Sequence, residues 1–121
     1  VKVLLIDDED DIRRVARLSL SRVGKMEVTE AASGLEGVRR AESDGPDVIL
    51  LDVMMPGLDG PSTLSALRSS PRTASIPVVF LTAKAMPAEV ERLRSLGALG
   101  VLIKPFDPMA LPAQLTALLE G

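Results

Sequence analysis

The stretch Asp47-Val48-Ile49-Leu50-Leu51-Asp52-Val53-Met54-Met55-Pro56-Gly57-Leu58-Asp59-Gly60 decides how this chain folds. Its short apolar run, bounded by aspartates, has the length and β-branched content of a strand buried on both faces. Pro56 and Gly57 then break the pattern, and a helical segment follows from about Gly60 to Ser69. The unit is strand, loop, helix, with one carboxylate, Asp52, placed where the apolar run ends.

The same unit recurs on both sides. Val1 to Ile6 is apolar and closes on the acidic run Asp7 to Asp11, after which Ile12, Val15 and Ala16 fall at helical spacing. Glu27 to Glu30 reads as a weak strand and Gly34 to Ser43 as a helix. Ile76 to Leu81 and Leu99 to Ile103 are the remaining strands. Their helices run about Pro87 to Leu96, with a stripe of Val90, Leu93 and Leu96, and about Met109 to Leu119. Pro112 lies inside that last pattern, where a proline costs roughly 3 kcal/mol. Regular helix is therefore expected to begin near Pro112, with Asp107 to Leu111 forming a separate turn. Gly24-Lys25, Asp44-Gly45-Pro46, Pro71 and Gly97 punctuate the units.

Five strands alternating with five helices predict an α/β fold: a doubly wound, five-stranded parallel sheet with helices on both faces. With 121 residues and no linker or low-complexity tract, residues 1–121 are expected to form one domain. The 14 basic and 17 acidic residues, net -3, argue against direct nucleic acid binding and suit a site for a cation. The absence of Cys and His excludes thiol nucleophiles, disulfides, thiolate zinc sites and imidazole bases. No apolar run approaches the roughly 20 residues needed to cross a bilayer. No membrane association and no export signal are expected, and the expected location is cytoplasmic.

In an open sheet of this kind, ligands bind beyond the carboxyl ends of the strands. Those ends carry Asp7-Asp8, Asp52, Thr82-Ala83 and Lys104-Pro105. Singly, each has an ordinary explanation: helix caps and dipole partners for Asp7, Asp8, Asp10 and Asp11, a turn residue for Asp52, a backbone-bonded hydroxyl for Thr82, a surface amine for Lys104. Together they make a different object. Converging carboxylates repel, and a cation relieves them; oxygen donors without His or Cys favour magnesium over zinc. A lysine and a hydroxyl beside them supply what a phosphoryl group requires, with Asp52 as the nucleophile.

Four stretches carry a family resemblance: Leu4-Leu5-Ile6-Asp7-Asp8, Asp52 to Gly60, Leu81-Thr82-Ala83 and Lys104-Pro105-Phe106. Together they resemble the response-regulator receiver family of two-component signal transduction, over essentially the whole chain. The resemblance implies a flavodoxin-like sheet of strand order 2-1-3-4-5. It implies a signalling domain rather than an enzyme, one that takes a phosphoryl group from a histidine kinase or histidine phosphotransfer protein, hydrolyses it slowly and acts on a downstream protein or effector domain. Asp52 would be the phosphoacceptor. Asp8, Asp52 and the Met54 carbonyl would be direct ligands of Mg2+ (or Mn2+), with Asp7 reaching the metal mainly through water. Thr82 and the Ala83 amide would contact phosphoryl oxygens, and Lys104 would pair with the phosphate. The resemblance further implies a cis Lys104-Pro105 bond, a third helix capped by Asp59, and a homodimer surface on the fourth helix, fifth strand and fifth helix.

Two features depart from or vary within that pattern. The family commonly has Tyr or Phe at the position of Val101, whose ring changes burial as the threonine moves; valine cannot make that move on the same scale. Met54 and Lys84 hold the variable positions two residues beyond Asp52 and Thr82, and Lys84 adds a cation near the mouth of the site. Other readings fit less well. A magnesium-dependent phosphatase with an aspartyl nucleophile would want an Asp where Met54 stands. A flavin carrier would want rings beyond Phe80 and Phe106, and a receiver degenerate in its site would lack the complete acidic, Thr and Lys set.

Overall fold

The computed structural model describes residues 1–121. Strands β1 (Lys2–Ile6), β2 (Glu27–Ala31), β3 (Val48–Asp52), β4 (Val78–Thr82) and β5 (Gly100–Ile103) alternate with helices α1 (Asp10–Leu18), α2 (Gly34–Asp44), α3 (Gly60–Arg68), α4 (Pro87–Ser95) and α5 (Leu111–Glu120). All neighbouring strands are parallel, in the order β2-β1-β3-β4-β5. The chain is thus α/β, doubly wound and flavodoxin-like. No helix is long and apolar enough to cross a membrane.

Alternation along the central strands divides the core in two. Leu4, Ile6, Ile49, Leu51, Val78 and Phe80 pack with Leu64, Leu67 and Leu93, so this face is covered by α2, α3 and α4. Val3, Leu5, Val48, Leu50, Val79 and Leu81 pack with Ala16, Leu20, Leu111 and Leu115 from the α1 and α5 side. β3 and β4 are buried at every residue, which is why they read as continuous apolar runs rather than as alternating ones.

Several details differ from the sequence reading or extend it. β3 and β4 each end one residue later than the apolar runs, so Asp52 and Thr82 are the last residues of their strands. β4 also begins at Val78 rather than Ile76, because Pro77 has no N–H for the ladder and contributes only its carbonyl, to Ile49 N at 2.9 Å. α1 does not stop at Leu18 but continues into a π-helical turn, Ser19–Val23. At the Gly24-Lys25 turn it is Lys25 that takes the left-handed conformation, φ 57°. Gly24 answers a different demand: a Cβ there would lie 2.7 Å from both the Leu20 carbonyl and Pro112 Cβ. α5 begins late, as Pro112 requires, with the proline in its first turn and Asp107 Oδ1 accepting from Met109 N–H at 2.9 Å just before it.

Candidate functional site

The ladder places the polar strand ends beside one another. Asp52 lies opposite Leu81 and Thr82 opposite Ile103. Beyond the last paired residues, Val53 N–H still donates to the Leu81 carbonyl (3.2 Å) and Lys104 N–H to the Thr82 carbonyl (2.7 Å), so the loops leave the sheet in fixed directions. Asp7 N–H does the same to the Ala31 carbonyl at 3.2 Å.

Lys104 is the centre of the arrangement. Its Nζ donates to Asp7 Oδ2 at 3.0 Å and to Asp52 Oδ1 at 3.1 Å, and Glu9 Oε1 lies 3.6 Å away. Asp7 and Asp52 are buried, 0% and 4% exposed, so the two carboxylates share one ammonium away from water. The peptide bond from Lys104 to Pro105 is cis. Burial, then the charge of Asp7, pushes the Asp52 carboxyl up to about 6, against the hydrogen bond and charge of Lys104, which pull it down. Burial works against the Lys104 ammonium, yet its hydrogen bonds and ion pairs with Asp7 and Asp52 outweigh that and hold its pKa above the ordinary lysine value.

Carboxylate oxygens of Asp7, Asp8, Glu9 and Asp52 all lie within 4.8 Å of one another. With one lysine among them the cluster stays net negative. Hard oxygen donors, incomplete charge compensation and a partly desolvated setting fit a magnesium-class ion. Asp8 is exposed at the mouth. Met54 follows β3 with its side chain in solvent, and its backbone carbonyl accepts no hydrogen bond within the protein.

Thr82 is buried, and its Oγ1 accepts from Lys84 N–H at 3.1 Å, which leaves the hydroxyl proton available to a ligand. Ala83 and Lys84 are exposed beyond it. The structure thus gathers Asp7, Asp52 and Lys104 into direct contact, holds Asp8 in the same carboxylate cluster, and sets Thr82, Ala83 and Met54 on the adjoining strand ends and loops. The ordinary explanation of the acidic run survives only in part. Asp10 and Asp11 lie in the first turn of α1, while the N-cap is Glu9, whose side chain makes no capping bond. Glu9 is the cluster member that sequence reasoning missed; its place in the acidic run was the available signal.

The entry to α3 is equally determined. Asp59 caps it, Oδ1 accepting from Ser62 N–H at 2.8 Å. Gly60 N–H donates to the Val53 carbonyl at 2.9 Å, and a Cβ on Gly60 would lie 2.6 Å from the Asp52 carbonyl oxygen and 2.7 Å from Val53 Cα. Both are backbone atoms and neither yields cheaply. Gly60→Ala is expected to lower stability by about 2 kcal/mol, read as a drop in the urea midpoint. An unchanged midpoint would mean that α3 retreats freely from the end of β3.

Among solved structures, the chemotaxis response regulator CheY4 of Vibrio cholerae is similar to this chain, with TM-score 0.89 at 34% identity over 98% of each chain. A putative response regulator from Chloroflexus aurantiacus is also similar, with TM-score 0.89 and 32% identity over 99% of this chain and 98% of that one. The fold and the acidic strand-end cluster therefore define a CheY-like signalling domain. The family profile described as the response regulator receiver domain matches residues 3–116. The transcriptional regulatory protein CseB of Streptomyces coelicolor is 39% identical over 98% of this chain and 49% of its own length. The alkaline phosphatase synthesis transcriptional regulatory protein PhoP of Bacillus subtilis is 36% identical over 98% and 48%. This chain belongs to the response regulator receiver family of two-component signalling. It spans about half the length of the curated relatives it matches.

Proposed function

We propose that residues 1–121 form one receiver domain that accepts a phosphoryl group on Asp52 in a magnesium-dependent reaction. The observation that carries this reading is the Lys104 ammonium bridging Asp7 and Asp52 at the buried end of β3, inside a carboxylate cluster that remains net negative.

An Asp52 carboxylate oxygen attacks the phosphorus of a phosphohistidine on a histidine kinase or histidine phosphotransfer protein. The O–P bond forms as the N–P bond breaks, and the electron pair leaves on the imidazole, neutral when its other nitrogen keeps a proton. A magnesium or manganese ion held by Asp8, Asp52 and the Met54 carbonyl, with Asp7 acting through water, would supply positive charge to the phosphoryl oxygens. Lys104 exchanges its bond to Asp52 for one to a phosphoryl oxygen while keeping Asp7. Its pKa, raised above the ordinary lysine value by Asp7 and Asp52, keeps it charged at neutral pH. Thr82 donates its hydroxyl proton and Ala83 its amide to the remaining oxygens. Hydrolysis regenerates the carboxylate when water attacks phosphorus and the O–P bond to Asp52 breaks.

The phosphorylated domain then acts on a downstream protein or effector domain in the cytoplasm, and the transcriptional regulators among its relatives support an output of that kind. α4, β5 and α5 offer the surface for homodimerisation. Val101 packs partly buried against the cluster that contains Phe80, so relay from Thr82 to this surface proceeds by aliphatic repacking rather than by movement of a ring.

Incubation with magnesium and acetyl phosphate should add a phosphate-sized increment to the intact mass, and chelation of the metal should prevent it. Uptake that is equal with and without chelator would remove the metal from this reading.

A further inference from the structure

Arg13 is the most heavily engaged cation outside the site. Nη1 donates to the Asp7 backbone carbonyl at 2.7 Å, Nη2 pairs with Asp10, and Nε faces Glu30 Oε1 at 3.3 Å. Glu30, on β2, is itself held by Arg17 Nε at 2.9 Å. The Arg13 side chain is largely enclosed, 15% exposed, and all three guanidinium nitrogens face acceptors. It therefore joins the end of β1, the first turn of α1 and the edge strand β2 across the loop that presents Asp7 and Asp8. A planar fork with donors on three sides suits this position, whereas a lysine could satisfy only part of it.

The Asp7 carbonyl is where β1 stops and the acidic loop begins. On the amide side Asp7 is fixed by the ladder bond to Ala31, and its Oδ1 accepts from Glu9 N–H at 2.9 Å. Arg13 secures the peptide that links Asp7 to Asp8, and so sets the direction in which Asp8 leaves the sheet. We propose that Arg13, anchored by Glu30, is a positioning residue for the divalent-metal site: it acts through the Asp7-Asp8 peptide and touches neither metal nor phosphate. This inference rests on the metal-binding reading given above.

Electrostatics alone makes the opposite prediction, which gives the test its sign. Removing a cation near an acidic cluster should tighten magnesium binding, whereas removing a support that holds the ligands should weaken it. Partners that orient metal ligands are typically worth 10–100-fold in affinity. Calorimetric titration of the metal-free domain with magnesium chloride is expected to give a dissociation constant about tenfold higher for Arg13→Ala. Arg13→Lys should fall between Arg13→Ala and wild type. Glu30→Gln, which keeps the guanidinium but weakens its anchor, should raise the constant by about threefold, less than the loss of the guanidinium itself. The Asp8 amide resonance should move in the same order in the metal-free spectra, a shift that a general loss of stability would not produce while the rest of the spectrum stays folded.

If Arg13→Ala does not fold, Arg13→Lys and Glu30→Gln carry the test through the same two measurements. Binding unchanged or tightened in the folded variants, while Asp8→Asn abolishes it, would overturn the role of Arg13 and leave the metal site intact. A wild type that binds no magnesium would overturn both.

Discussion

Asp52→Asn is expected to make the metal-free domain more stable at neutral pH, by on the order of 2 kcal/mol, while making it inert to phosphodonors. The cause is the site itself. Burial and the neighbouring Asp7 carry the Asp52 carboxyl from its ordinary 3.8 to about 6. A carboxyl raised in this way favours the fold while protonated, below about 4, and loses that advantage as the pH rises through about 6. At neutral pH the ionised group therefore costs the folded state up to about 3 kcal/mol relative to its protonated form, with the pull of Lys104 already included. Urea unfolding in chelator should show a higher midpoint for Asp52→Asn at pH 7.5, with the gap closing by pH 4. Saturating magnesium should stabilise wild type and have little effect on the variant. Equal midpoints at pH 7.5 would mean that Lys104 fully compensates the buried charge.

Lys104→Ala should have the larger effect, in the opposite direction. It leaves Asp7, fully buried, and Asp52, nearly so, facing each other with no cation between them. Breaking a buried ion pair from one side costs about 3–5 kcal/mol. The loss should be largest in chelator and smaller in saturating magnesium, because a bound cation takes over part of the neutralisation. The measurement is the pair of urea midpoints with and without metal. A loss that magnesium does not reduce would place the role of Lys104 in packing rather than in charge. Both variants express a site in which function opposes stability: the carboxylate that can react is one the fold holds at a cost.

Much of this was readable from the residues. β3 and β4 declare themselves because strands covered on both faces carry apolar residues at every position, and the site declares itself because polar groups stand at the ends of such strands. Asp52 was legible as a carboxylate at the edge of the core. That it is the last residue of β3, and is matched to Leu81, depends on pairing with another strand. The π-helical turn Ser19–Val23 left no mark, since the added residue hardly alters apolar spacing over so short a segment. The requirement for glycine at position 24 arises in part from Pro112, a contact no local pattern contains. Glu9 and Arg13 escaped for the same reason: what each touches depends on the fold, which brings Lys104 to one and the Asp7 carbonyl and Glu30 to the other.

The central claim is that Asp52 carries the phosphoryl group, and locating that group tests it most directly. Wild type and Asp52→Asn would be incubated with magnesium and acetyl phosphate, reduced with borohydride to trap the acyl phosphate, and mapped by peptide mass spectrometry. The expected result is a reduced residue at position 52 in wild type, absent from Asp52→Asn and from samples treated with chelator. A trapped acyl phosphate at Asp7 or Asp8, or phosphate uptake by Asp52→Asn equal to that of wild type, would contradict it.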